Sequence, residues 1–255
     1  MEKKNKTLFV AFSSQKGGVG KSTFTAILAS TLHYGRGLNV AVFDCDYPQH
    51  SLSQMRQRDQ AAIMQNEFLK RLAYQQFKTI DKKAYPIFQC KPETALKEAK
   101  QFLQGSPIPI DIIFFDLPGT VNTPGLLNTL IGVNHIFSPI TADRVVLEST
   151  LSFTDVMTNI LIKNGQTSIE TIRLFWNMVD GREKSVLYDH YDKIINELGL
   201  VLMNTRVNDS KRFRKEVELE SKAVFRSTLL PPNKKLIKSC SLDLFIDEFL
   251  NTIKL

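Results

Sequence analysis

Three observations predict an α/β fold, a mostly parallel twisted sheet with helices on both faces. Short apolar runs alternate with polar, helix-spaced segments along the whole 255-residue chain. One run leads straight into a glycine-rich turn, SSQKGGVGKST (13–23), and helical spacing resumes directly after it. Another, DIIFFD (111–116), carries four consecutive apolar residues to an aspartate. Parallel strands need helical crossovers, which cover both faces of the sheet and let its strands read as unbroken apolar runs. In such folds ligands bind beyond the carboxyl ends of the strands, so functional residues are expected just after them.

The first strand is predicted at Thr7–Ser13 (TLFVAFS). Lys21–Tyr34 then places Phe24, Ile27, Leu28 and Leu32 on one side of a helix. Leu38–Asp44 (LNVAVFD) is the second strand, and Gln49–Phe77 is polar with helical character. Tyr85–Gln89 is a weaker strand, assigned to an edge by Pro86. Pro92–Leu103 reads as a helix opened by proline. Asp111–Asp116 is the strongest strand, followed by strands at His135–Ile140, Thr171–Asn177 and Leu200–Thr205. Helices are expected at Asp143–Lys163, Glu183–Leu198, Ser210–Ser221 and Leu242–Ile253. Internal repeats, low-complexity tracts and linkers are not evident, and 1–255 is read as a single domain.

Composition narrows the function classes. Hydrophobic content of 43% and charged content of 23% are those of a globular chain long enough to bury a full core. A formal charge of +7 suits an anionic partner such as nucleic acid, or serves solubility alone. Cys45, Cys90 and Cys240 are far apart and the four histidines are scattered, which argues against a disulfide framework or a zinc site. The apolar run after the basic MEKKNK is too short for a signal sequence, and no stretch has the length of a membrane span. A cytoplasmic protein with reduced thiols is expected.

Gly17-Gly18-Val19-Gly20-Lys21-Ser22 stands between a strand and a helix, the setting that a P-loop requires. Its glycines let backbone N–H groups turn inward around phosphate oxygens, and the helix N-terminus adds partial positive charge. Lys21 is expected to reach the β- and γ-phosphates and the Ser22 hydroxyl to ligate Mg²⁺. Asp116 is expected to hold Mg²⁺ at the end of its strand, with Gly119 in the next turn offering an N–H to the γ-phosphate. The cofactors implied are ATP and Mg²⁺.

The general P-loop pattern wants glycine at position 15, where this chain has Gln15. QKGGVGKS instead resembles the deviant Walker A motif of the ParA/MinD family of ATPases, whose ParA branch commonly carries glutamine there. The resemblance implies a P-loop NTPase architecture with phosphate-loop contacts from Lys16, Gly17, Gly18, Val19, Gly20, Lys21, Ser22 and Thr23. It also implies that Lys16 reaches across a nucleotide-sandwiched homodimer to the partner's phosphates, equivalent to an arginine finger. DCDYPQ (44–49) resembles the family's switch I segment DxDPQ, with Tyr47 inserted before the proline. Asp46 is thereby implied to orient the attacking water and Asp44 to join the Mg²⁺ shell. Asn177 stands where the family reads adenine.

ParA proteins bind duplex DNA without sequence preference through basic residues near these last strands. By position Arg182 and Arg212 match best, with Lys211, Arg214 and Lys215 as neighbours in SKRFRKE (210–216). A solvated helix face with Phe213 turned inward is the plain alternative. Lys234, Lys235 and Lys238 could extend a DNA face. The final stretch carries Asp243, Asp247 and Glu248 against Lys254, which disfavours an anionic bilayer and favours a packed helix.

DCDYPQHSLSQMRQRD, FFDLPGTVNTPG, FWNMVDGREKS and KAVFRSTLLPP look like one ParA-like subgroup, the TraA ATPases of Bacteroidetes conjugative transposons. This implies a switch serving partition or conjugative transfer, with slow hydrolysis stimulated by a ParB-like or transfer-complex partner, in the cytoplasm and at the nucleoid. Helix-turn-helix residues do not precede the phosphate loop, so operator binding is not expected. Alternatives are a MinD-like ATPase positioned on a membrane surface, a metabolic or redox P-loop enzyme, and an ATP-binding scaffold with little turnover.

Overall fold

The computed structural model describes residues 6–119, 125–162, 165, 167–182, 185–215, 217, 220 and 222–255. Its six strands form one sheet: β1 (Leu8–Phe12), β2 (Val40–Asp44), β3 (Ile87–Gln89), β4 (Ile112–Asp116), β5 (His135–Ile140) and β6 (Thr171–Trp176). Their order is β3-β2-β4-β1-β5-β6, and every neighbouring pair is parallel. The α/β expectation is met, and Pro86 does precede an edge strand.

Alternation along the strands assigns each side chain to a face. Val10, Phe12, Val40, Val42, Ile112 and Phe114 enter one core, beneath α1 (Lys21–Ser30). Phe9, Ala11, Ala41, Phe43, Ile113 and Phe115 enter the other, with α4 (Ala95–Gly105) and α5 (Leu126–Ile131). The same period of two puts Asp44 and Asp116, the last residues of β2 and β4, on the α1 side.

Between β2 and β3 the expected single helix is two, α2 (Ser51–Gln65) and α3 (Glu67–Ile80). Asn66 is extended between them, and its side chain accepts from the Leu69 N–H as an N-cap. The helices α6 (Arg144–Val156) and α7 (Ser185–Glu197) flank β6. Lys163 and Glu183, the expected outer limits of those two helices, lie outside the described residues. After α7 come α8 (Lys234–Lys238) and α9 (Leu242–Ile253). The apolar face of α9 is core: Phe245 and Phe249 meet Phe12, Phe24, Phe137 and Phe175 with ring centroids 4.6–6.4 Å apart. No helix among the described residues is long and apolar enough to cross a membrane.

Two further expected elements differ. Leu200–Thr205 is not a strand; it touches β6 through a single bridge, Leu174 to Leu202. The Glu248 carboxylate of α9 takes the next backbone donors, Asn204 N–H at 2.7 Å and Thr205 N–H at 2.8 Å, and so competes with a ladder. Of 210–221, the described helical part is one 3₁₀ turn, Lys211–Arg214, capped by Ser210. Phe213 anchors that turn inward against Phe24 and Phe225.

Candidate nucleotide site

The loop from β1 to α1 winds through two left-handed glycines, Gly18 (φ 78°) and Gly20 (φ 99°), a conformation that strains any residue with a Cβ. Gly20 leads directly into Lys21, so the free N–H groups of the first turn of α1 face the loop. Gly119, after β4, lies against this loop backbone to backbone: a Cβ there would stand 3.0 Å from the Gly17 nitrogen. A cleft of about 660 Å³ opens here. Its lining includes Gly17, Gly18, Gly20, Lys21, Ser22, Thr23, Asp46, Gly119 and Asn177.

Lys21 is buried, and its ammonium donates to the Lys16 carbonyl at 2.9 Å and to Ser14 Oγ at 3.4 Å. Burial lowers its pKa, while the carboxylates of Asp116 and Asp46 pull the other way. Asp44 and Asp116 are register partners across β2 and β4. Burial, then the neighbouring Asp44 carboxylate, push Asp116 up to about 8, against the pull of Ser22 and Lys21. Neither Asp116 oxygen completes a hydrogen bond among the described residues. Asp44 Oδ2 accepts the Ser53 N–H at 2.8 Å, while Oδ1 has no hydrogen bond and lies 3.9 Å from His50 Nδ1. Burial raises Asp44 also.

Asp46 is half-buried at the cleft wall and accepts from Ser51 Oγ at 3.1 Å. The inserted Tyr47 is absorbed by a turn in which the His50 N–H donates to the Asp46 carbonyl at 2.7 Å. The Tyr47 ring stays 55% exposed at the rim, with the Lys91 ammonium 5.3 Å from its centre, and Gln49 still faces the cleft. Lys16 is exposed and lies outside the cleft lining.

Asn177 follows β6 and is 2% exposed. Its Nδ2 donates to the Val19 carbonyl at 2.9 Å, which fixes the amide orientation, and its Oδ1 has no partner. The side chain of Val19 is buried.

The basic residues gather on another surface. Val179 pairs with Asn208, and the Asn208 N–H donates to the Cys240 carbonyl, so 179–182, 208–215 and α8 adjoin. Arg212 donates to Ser239 Oγ at 3.0 Å, next to Lys238. Lys211 and Lys215 are exposed, and of Arg214 only the backbone is described. Arg182 is 91% exposed and tied to Asp180 through Nη2 at 3.0 Å and Nε at 3.1 Å.

Two groupings escaped the sequence reading. Cys45 and Cys90, 45 positions apart, bring their Sγ atoms to 3.3 Å because β2 pairs with β3. Arg226, inside the quoted run KAVFRSTLLPP, lines the cleft and donates to Thr23 Oγ1 at 3.0 Å. An arginine embedded in an apolar, hydroxyl-rich run was the available signal.

A family model described as the CobQ/CobB/MinD/ParA nucleotide binding domain matches residues 10–221. Among solved structures, the MinD cell division protein of Aquifex aeolicus is 13% identical over 98% of each chain, with a TM-score of 0.56. The pnob8 ParA is 16% identical over 98% of this chain and 99% of its own, with a TM-score of 0.57. Cobyrinic acid a,c-diamide synthase of Mycobacterium smegmatis, solved with an ATP analog and magnesium, is 18% identical over 86% of this chain and 89% of its own, with a TM-score of 0.57. At these identities the likeness shows the fold. No curated protein sequence matches the chain.

Proposed function

The chain belongs to the CobQ/CobB/MinD/ParA nucleotide-binding domain family, and from that premise we propose that it is an ATP-driven switch of the ParA type. ATP binding joins two copies, the dimer holds duplex DNA without sequence preference, and hydrolysis releases it. The observation that carries the reading is the pair of buried aspartates, Asp44 and Asp116, ending side by side with oxygens that have no hydrogen bond among the described residues. Two such carboxylates call for a cation, because buried charge without compensation is expensive.

Ser22, Asp44 and Asp116 would hold Mg²⁺. No group of three or more His, Cys, Asp or Glu among the described residues could hold a metal, so phosphate oxygens and water would complete the shell. The ion would supply neutralising charge on the phosphate oxygens. Gly17 to Thr23 cradle the phosphates with backbone donors. Lys21 exchanges the Lys16 carbonyl for the β- and γ-phosphates, and Gly119 is poised beside the loop to offer its N–H. Asp46 orients the attacking water from the cleft wall. Lys16, exposed beside the site, serves the partner subunit as the trans cation. Asn177 Nδ2 is committed to Val19, leaving Oδ1 to accept a hydrogen bond from a base; adenine offers an exocyclic amine there, whereas guanine offers a carbonyl.

Arg182, Lys211, Arg212, Arg214 and Lys215 form the DNA face, with α8 beside it. The setting is partition or conjugative transfer of a mobile element, as in the TraA-like subgroup, with a partner protein stimulating slow turnover in the cytoplasm. A MinD-like membrane role is disfavoured by α9, whose apolar face is spent on the core.

Sedimentation with ATP, ADP and no nucleotide, each with and without duplex DNA, tests the switch. Dimers that bind DNA only with ATP are expected. A chain that stays monomeric at saturating Mg²⁺ and ATP, even as Asp46→Ala, overturns the proposal.

A further inference from the structure

Residues 224–230 form a strap fastened on three sides. Asp59 Oδ2 of α2 accepts the Thr228 N–H at 2.6 Å, Thr228 Oγ1 at 2.8 Å and Ser227 Oγ at 3.1 Å. The Thr228 carbonyl accepts from Tyr34 at 3.0 Å and Arg56 at 3.1 Å, and the Leu229 carbonyl accepts from Gln76 of α3 at 2.9 Å. Val224, Leu229 and Leu230 pack among Ala62, Ile63, Leu69 and Ala73 of α2 and α3. A strap held this firmly delivers whatever it carries to a fixed place.

It carries Arg226 into the nucleotide cleft. Nη1 lies 3.0 Å from Thr23 Oγ1, in the first turn of α1 directly after Lys21 and Ser22. Both Arg226 and Lys21 line the cleft beside the first turn of α1, whose N–H groups and partial positive charge suit an anion. Phe225 packs edge-on against Phe213, another residue of the cleft wall, with ring centroids 5.0 Å apart. This sets Arg226 beside Phe213 in the cleft wall, whereas Asp46, assigned above to the terminal-phosphate chemistry, enters from the turn after β2. Arg226 lies past residue 221, where the family match ends.

We propose that Arg226 is a nucleotide-contacting residue: it grips a base-proximal phosphate in cis and ties the 224–230 strap, with α2 and α3, to occupancy of the site. The proposal rests on the nucleotide-binding reading and deepens it. Because ATP and ADP share the base-proximal phosphates, both should bind with similar dependence on this arginine.

Dissociation constants for Mg·ATP and Mg·ADP are measured by titration on the wild-type chain, Arg226→Gln and Arg226→Lys. Arg226→Gln should weaken both nucleotides by about ten- to a hundredfold, and Arg226→Lys by less, since charge persists without the planar fork. Amide exchange across 224–230 should slow on adding ADP to the wild-type chain and not to Arg226→Gln. A purely structural arginine would lower thermal stability while leaving these nucleotide responses intact. Unchanged affinity in a folded Arg226→Gln, or a loss confined to ATP, overturns the proposal. If Arg226→Gln does not fold, Arg226→Lys and wild-type exchange decide: unaltered affinity together with an unprotected strap overturns it. A wild-type chain that binds neither nucleotide instead sinks the nucleotide-binding reading itself.

Discussion

Asp44 and Asp116 occupy one rung of two adjacent parallel strands, and three of their four carboxylate oxygens have no hydrogen bond among the described residues. Two carboxylates so placed repel each other wherever both are ionised. Desolvation and the mutual charge both favour a proton on Asp116.

That repulsion makes stability depend on pH. The folded chain binds the Asp116 proton more tightly than the unfolded chain does, whose carboxyl titrates near 3.8. Its stabilising contribution is complete below that value and is lost as pH rises through about 8. Asp116→Asn should therefore stabilise the nucleotide-free chain at pH 8.5 by roughly 1–3 kcal/mol and gain little at pH 4.5. Thermal unfolding at the two pH values checks this. Mg·ATP should raise the melting temperature of the wild-type chain far more than that of the variant.

Asn177 has two tasks, and one substitution separates them. If it only braces Val19 through Nδ2, Asn177→Ala should weaken ATP and GTP alike. If Oδ1 also reads the base, ATP affinity should fall by about tenfold and the preference for ATP over GTP should collapse. Competition titration with both nucleotides gives the ratio.

Much of this site was legible because strand period and loop spacing are local. Four apolar residues ending in Asp116 fix both its depth and its face, and QKGGVGKS fixes the turn into α1. Contacts made late in the chain left no such mark. Glu248 removes Asn204 and Thr205 from a ladder from 44 and 43 positions away, so an apolar run that looks like a strand is not one. Burial of Phe213 holds Lys211–Arg214 in a single 3₁₀ turn where the charge pattern of SKRFRKE suggests a helix. The Cys45–Cys90 contact needed the β2–β3 register, and Arg226 needed the anchoring of its strap by Asp59.

On the basic face, Arg182 and Arg212 differ in their neighbours. Arg182 spends its guanidinium on Asp180, while Arg212 meets only a neutral hydroxyl among the contacts described. Arg212→Ala should weaken binding to duplex DNA and reduce the salt slope by about one. Asp180→Asn should tighten binding by releasing Arg182 and removing a carboxylate. Affinity measured across a salt series decides, and DNA binding indifferent to both changes would remove this face from the mechanism.

Lys16 is exposed beside its own phosphate loop, and its backbone carbonyl, not its ammonium, is what Lys21 engages. A role in trans follows if its ammonium is used by the other subunit. Lys16→Ala should keep ATP binding and lose turnover, and Asp46→Ala should do the same. Mixed in equal amounts before ATP is added, the two variants form heterodimers in which one site is whole: it has its own Asp46 and receives the partner's Lys16. About half the dimers are mixed and one of their two sites works, so turnover should recover to about a quarter of the wild-type rate. If Lys16 acts on its own nucleotide, every site in the mixture lacks one group and turnover stays absent.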